Sequence, residues 1–183
     1  MKMNTKKLVL NAVLLGIGLV LHQIEPAIFG VKPDMTLIML FTIMIINKDD
    51  YKSCLLCGII AGIFDGMTTS FPGGQVPNII DKFITTNISF IIMMAMYKVP
   101  FIKKISKKNQ DFIVSNILMS FGTGISGFIF LISAKFLVGL PGNMNLSMLF
   151  AAVVVPAIVV NVIVGAIVFK VIHVTMKRVS FQS

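Results

Sequence analysis

The chain has 183 residues, 56% of them hydrophobic and only 13% charged, and a mean hydropathy of +0.94, which excludes an ordinary soluble domain. The net charge of +9 does not point to nucleic acid, because the basic residues lie in short clusters flanking apolar runs and not along one polar face. His22 and His173 are the sole imidazoles, and there is no phosphate-binding loop, zinc-protease motif, local carboxylate cluster or nucleophile with a neighbouring base. No catalytic residue, resident metal or intrinsic ATP hydrolysis is therefore expected.

Six apolar runs predict an all-α membrane protein of six transmembrane helices, one domain over residues 1–183: 6–24, 33–46, 53–70, 78–97, 111–137 and 146–172. The first is followed by His22-Gln23-Ile24-Glu25-Pro26 and not by a small-x-small cleavage site, so it is expected to be retained. Its Ala12 and Gly16 form a small-x-x-x-small pair that either packs internally or offers a partner protein a close backbone approach. The second run, about 15 residues or ~22 Å, falls short of a ~30 Å hydrocarbon core and must thin the bilayer or pack centrally.

In the third run Gly58, Gly62 and Gly66 recur every four positions and predict one face pressed against another helix. Cys54 and Cys57 lack a second cysteine pair or a nearby histidine and read as buried thiols. Next comes the most informative stretch, Phe71-Pro72-Gly73-Gly74-Gln75-Val76-Pro77-Asn78-Ile79-Ile80-Asp81-Lys82. A Gly/Pro loop here leads into an apolar helix with a charged pair at its mouth. A lone ionised side chain at mid-membrane costs roughly 2.5–3.5 kcal/mol on insertion scales, so the pair needs a reason. Ligand capture is one; pairing within the protein or snorkelling to the interface is the other.

The fifth run carries Gly122-Thr123-Gly124-Ile125-Ser126-Gly127, which has the spacing of a dinucleotide fingerprint but follows no strand, and that reading is rejected. Asp65 and Lys135 are candidates for an internal ion pair. In the sixth run Pro156 predicts a kink that frees the carbonyl four residues earlier, and Asn161 either lines a cavity or bonds a neighbouring helix.

Lys2, Lys6, Lys7, Lys48, Lys52, the lysines from Lys98 to Lys108, Lys170, Lys177 and Arg178 all flank the same ends of the runs, so the positive-inside rule predicts both termini in the cytoplasm. The loops left outside are rich in Gly, Pro, Asn and Gln. Polar residues gather near that face while the inner halves are aliphatic, which favours a site open to the outside and closed below. Lys32 and Asp34 flank Pro33 and serve either a ligand or a helix-capping loop. Gln75, Asn143 and Asn145 are lid hydrogen bonders or turn residues, and Gly73-Gly74 marks a hinge or tight turn.

Val31-Lys32-Pro33-Asp34-Met35, the stretch from Ala61-Gly62-Ile63 through Thr68-Thr69-Ser70 to Lys82, Val138-Gly139-Leu140-Pro141-Gly142 and the segment Leu149 to Pro156 together resemble the substrate-binding subunits (S components) of energy-coupling-factor (ECF) transporters, in particular the tryptophan-specific family of Gram-positive bacteria. The resemblance spans nearly the whole chain. It implies a multi-pass protein of the bacterial plasma membrane that captures L-tryptophan, or a similar small molecule, outside. Helix one would dock on a transmembrane coupling subunit through Ala12 and Gly16, where the family usually has Ala-x-x-x-Ala. Two partner ATPase subunits would use the ATP, and this chain would bind no cofactor and no nucleic acid.

In that setting Asp81 or Asp34 would take the ligand ammonium and Lys82 or Lys32 its carboxylate, with Gln75, Asn78, Asn143 and Asn161 as further candidates. Indole burial alone supplies roughly 4–6 kcal/mol, well short of the ~12 kcal/mol of nanomolar binding, so the charged groups must contribute. The alternatives are an S component for another ligand, a stand-alone proton-coupled aromatic amino-acid transporter using Asp65, Asp81 or Lys135, and a membrane enzyme or assembly factor.

Overall fold

The computed structural model describes residues 5–28, 31–140, 142 and 145–180, and among these it is helical without a β-strand. The helices are α1 (Thr5–Ile24), α2 (Met35–Ile46), α3 (Tyr51–Thr68), α4 (Gln75–Lys98), a single turn α5 (Pro100–Lys103), α6 (Lys107–Ile117), α7 (Thr123–Leu137), the short α8 (Leu146–Leu149) and α9 (Val155–Ser180). A π turn over Leu118–Gly122 joins α6 to α7, and a second over Phe150–Val154 joins α8 to α9, so each pair runs as one rod. Four segments are long and apolar enough to cross a membrane: Thr5–Ile24, Gln75–Lys98, Asn109–Leu137 and Leu146–Met176.

The shorter α2 is the axis of the bundle. Every residue from Met35 to Ile45 is buried, including Thr36 and Thr42, so this helix packs centrally and needs no lipid-facing side. Asp34 caps its start by accepting from Leu37 N at 2.9 Å. At its foot Asn47 donates to Ile43 O at 3.0 Å and to Asn11 Oδ1 of α1 at 2.9 Å. The main core surrounds this axis with Leu15, Cys57, Met93, Met119 and Phe169, and both cysteines lie buried and unoxidised within it. A smaller apolar cluster, Leu131, Leu149 and Val154, ties α7, α8 and the second π turn together.

The glycine face of α3 meets another helix, as its four-residue spacing predicts, and the structure makes that helix α4. A Cβ on Gly62 would sit 3.0 Å from Ile79 Cα and 3.2 Å from Lys82 Cβ, and one on Gly66 would sit 3.0 Å from the Gln75 carbonyl oxygen. Backbone atoms cannot step aside, so Gly62→Ala is expected to destabilise the protein by about 1–3 kcal/mol. Gly16→Ala, where an added Cβ meets nothing within 4 Å, is the control. Thermal unfolding of both variants in detergent checks the contrast, and equal midpoints would refute the close α3–α4 fit.

Pro156 sits at the second position of α9, immediately after a π turn. The expected disturbance is thus absorbed by the wider turn, which accommodates the missing N–H and the crowded carbonyl. Gly122 and Gly127, from the rejected dinucleotide spacing, let Phe41 and Val154 approach the helix closely. At the N-terminus of α3, Asp50 accepts from Ser53 Oγ at 2.8 Å and Ser53 N at 3.1 Å. These bonds cap the helix and hold the Asp50 carboxyl below the usual carboxylate range.

Candidate functional site

Away from the lysine-rich end, three elements deliver charged side chains to one buried point and a fourth adds a hydroxyl. The α4 backbone enters the bundle after the 69–74 loop and turns Asp81 and Lys82 inward, with residue exposures of 1% and 2%. The Lys82 ammonium lies 2.9 Å from Asp81 Oδ2, 3.0 Å from Asp34 Oδ2 at the head of α2 and 3.0 Å from Asp65 Oδ2 on α3. It also reaches Ser126 Oγ of α7 at 3.3 Å. Ser126 Oγ donates in turn to Asp81 Oδ2 at 2.7 Å, and Thr85 Oγ1 donates to Asp81 Oδ1 at 2.8 Å.

The three carboxylates are held unequally. Asp81 is fully satisfied by Lys82, Ser126 and Thr85. Asp65, only 4% exposed, has the Lys82 ammonium 3.0 Å from its Oδ2 and no hydrogen-bond donor besides it among the described residues. A buried carboxylate lacking donors is a costly group unless something else supplies them. The Asp34 side chain is 26% exposed, against 3% for Lys82, which makes it the face of the cluster that an incoming solute meets first.

With all four groups ionised the cluster carries two more negative than positive charges. His22 and Glu25, at the end of α1, pair at 3.1 Å beside it. Asn161, fully buried on α9, accepts from Asp34 N at 2.8 Å and donates to Thr123 Oγ1 at 3.1 Å. It is thus a positioning group that locks the head of α2 against α7 and α9, the second of its two expected roles.

Of the residues singled out in the sequence, the structure brings together Asp34, Asp81 and Lys82, with Asn161 behind Asp34. Asn78 is half-buried and donates to Gly74 O at 2.8 Å, closing the loop into α4. Lys32 and Gln75 are exposed on the surface, and Asn143 falls outside the described residues. Gly73 has φ +73°, the left-handed region that favours glycine, and a Cβ there would also lie 2.7 Å from Val138 Cγ1. The same loop lays Phe71 edge-on against Phe130, with ring centroids 5.4 Å apart.

Two sequence expectations change. Asp65 pairs with Lys82 and not with Lys135, which is exposed near the end of α7. The sequence has no local carboxylate cluster, yet folding makes one from residues 34, 65 and 81, with Lys82 at its centre in the position a bound cation would take. Among the described residues no group of acidic, histidine or cysteine side chains is arranged to hold a metal. Asp65, Ser126 and Thr85 were missing from the site read in the sequence. The signal for Asp65 was present: seven residues after Gly58, it falls on the same close-packed helix face.

An all-helical bundle with membrane-length apolar segments and a buried ionic site defines a multi-pass membrane protein. Residues 4–177 match the family model "Tryptophan transporter TrpP". The chain therefore belongs to the TrpP tryptophan transporter family, whose members are named as transport proteins and not as enzymes. It is 46% identical over 183 residues, all of both chains, to the "Probable tryptophan transport protein" of Clostridium acetobutylicum. Proteins of the same name from Clostridium perfringens and Bacillus subtilis are 39% identical over 178 residues (97% of this chain, 96% of the relative) and 40% identical over 181 residues (98% of each). No solved structure matches the chain.

Proposed function

We propose that this chain is the substrate-capture subunit of an ECF-type importer, binding L-tryptophan from outside through the Asp34–Asp65–Asp81–Lys82 cluster. The observation that carries this reading is the Lys82 ammonium held by carboxylates that outnumber it, one of which, Asp65, has no other donor among the described residues. In this assignment the substrate ammonium binds between Asp34 and Asp65. Lys82 turns to the substrate carboxylate, and Asp81 stays as its fixed counter-ion. Phe71 and Phe130 cover the indole, with Gly73 and Gly74 as the hinge of the loop above. Lys32, Gln75 and Asn78 are assigned to the rim.

The accompanying topology is six spans with both termini in the cytoplasm of a bacterial plasma membrane. Its support is the concentration of lysines at one end of the bundle, where Asn11, Asn47 and the Lys48–Asp111 and Tyr97–Asp111 contacts join the helix ends. This chain would bind no cofactor, and ATP would be used by two ATPase subunits acting through a transmembrane coupling subunit. Calorimetry of the purified chain with L-tryptophan tests the capture role: tight one-to-one binding without a partner is expected, and no binding by folded protein would overturn it.

Ala12 and Gly16 are the proposed docking point for the coupling subunit. Ala12 is exposed, Gly16 has open space where a Cβ would be, and Val9, Val13, Ile17 and Val20 beside them are 58%, 52%, 44% and 57% exposed. This stripe has no role in internal packing. Gly16→Leu is expected to leave tryptophan binding unchanged while abolishing co-purification with the coupling subunit; retained co-purification would refute the assignment. The excess of buried carboxylates favours one second reading, a stand-alone proton-coupled transporter. Uptake by the chain alone in liposomes under a proton gradient, without ATP, would establish that reading instead.

A further inference from the structure

At the lysine-rich end, α6 and α9 leave a cavity of about 240 Å³ lined by Asn109, Phe112, Phe169, Lys170, His173 and Val174. Its chemistry is divided. Lys170 and Asn109 are exposed side chains able to donate, and His173 lies one turn from Lys170 on the same face of α9. His173 stacks on the buried Phe169 ring at 5.7 Å, and its Nε2 is buried without a hydrogen-bond partner. Among the described residues no acidic side chain lines the cavity, which leaves its lining basic.

A second, shallower and largely apolar groove of about 400 Å³ begins at the shared residue Phe112 and follows α6 and the π turn past Ile113, Asn116, Ile117 and Ser120 to Phe121. Phe121 is 64% exposed. It lies about two and a half turns further along the rod, toward the apolar middle of the Asn109–Leu137 segment. A basic pocket at a helix end thus opens into an apolar channel running into the membrane-crossing part of the same rod. A free anion would use the pocket alone, and a neutral lipid would use the channel alone.

We infer that this composite surface binds an anionic phospholipid, with its phosphate at Lys170, His173 and Asn109 and an acyl chain along Phe112, Ile117 and Phe121. The chemistry is that of basic pockets between membrane helices that hold lipid head groups, and it is separate from the Lys82 cluster at the opposite end.

The test is native mass spectrometry of the full chain with defined lipids. The expected result is preferential retention of phosphatidylglycerol over phosphatidylcholine, reduced roughly fivefold by Lys170→Glu, the typical factor for one cation at an anionic surface. His173→Gln should reduce it as well, and Lys104→Glu, in the exposed basic loop outside the groove, should not. Equal retention of the two lipids, an equal loss in Lys104→Glu, or full competition by inorganic phosphate would each overturn the assignment. Thermal unfolding of Lys170→Glu at the wild-type midpoint confirms that a loss is one of binding and not of fold.

Discussion

Lys82→Met is expected to lower the stability of the protein by about 3–5 kcal/mol, the scale for removing one partner of a buried ion pair. The size follows from the arrangement. Asp34, Asp65 and Asp81 all lie within 3.0 Å of Lys82 Nζ, so one substitution strips their shared counter-charge and leaves Asp65 with no polar contact. The remedy is also specific. Adding Asp65→Asn in the methionine background removes one repelling charge and is expected to recover part of the loss, whereas Asp49→Asn, distant and exposed, should recover none. Unfolding midpoints in detergent, measured with wild type and the three variants in parallel, check this. A Lys82→Met protein as stable as wild type would mean that the carboxylates carry no charge to be balanced.

The second large effect separates the two ends of the substrate. If the ammonium enters between Asp34 and Asp65, indole-3-propionate, which lacks it, should bind at least about 30-fold more weakly than L-tryptophan, equivalent to the ~2 kcal/mol lower bound for truncating a buried charged pair. Tryptamine, which lacks the carboxylate, should lose less, because the cluster has carboxylates to spare and only one ammonium. Asp34→Asn should weaken L-tryptophan by a similar factor while leaving indole-3-propionate nearly unchanged. The chain contains no tryptophan, so the ligand's own indole fluorescence reports binding without background. Equal losses for both analogues would refute the assignment of the ammonium to Asp34.

Much of the fold was legible because each rod is an apolar run ended by Gly, Pro, Asn or Asp. The helices begin and end within a few residues of the runs, the largest departure being α9, which continues to Ser180. Charge pairing was less legible. Asp34 and Lys82 are 48 residues apart, and periodicity within a helix says which face a residue occupies but not which helix meets that face. The glycine ladder of α3 announced a close contact and carried Asp65 on the same face. It did not name α4 as the partner, and so Lys135 was as good a mate for Asp65 as Lys82. The π turn at Phe150–Val154 had a sequence cause in Pro156, whereas the one at Leu118–Gly122 has none that local propensity reveals.

The central position of α2 also bears on how the protein is made. Its 12 residues extend about 18 Å, too little to bridge a ~30 Å hydrocarbon core. A segment of that length leaving the translocation machinery alone would strand its own ends, with Asp34 and Asn47, in hydrocarbon. Its burial by α1, α3 and the later rods shows how the difficulty is resolved: α2 is shielded by protein and not by lipid. It is therefore expected to enter the bilayer as part of an α1–α2–α3 unit, its integration depending on neighbours synthesised after it. Truncated chains ending before α3 should leave α2 outside the membrane, and chains extended through Thr68 should carry it in.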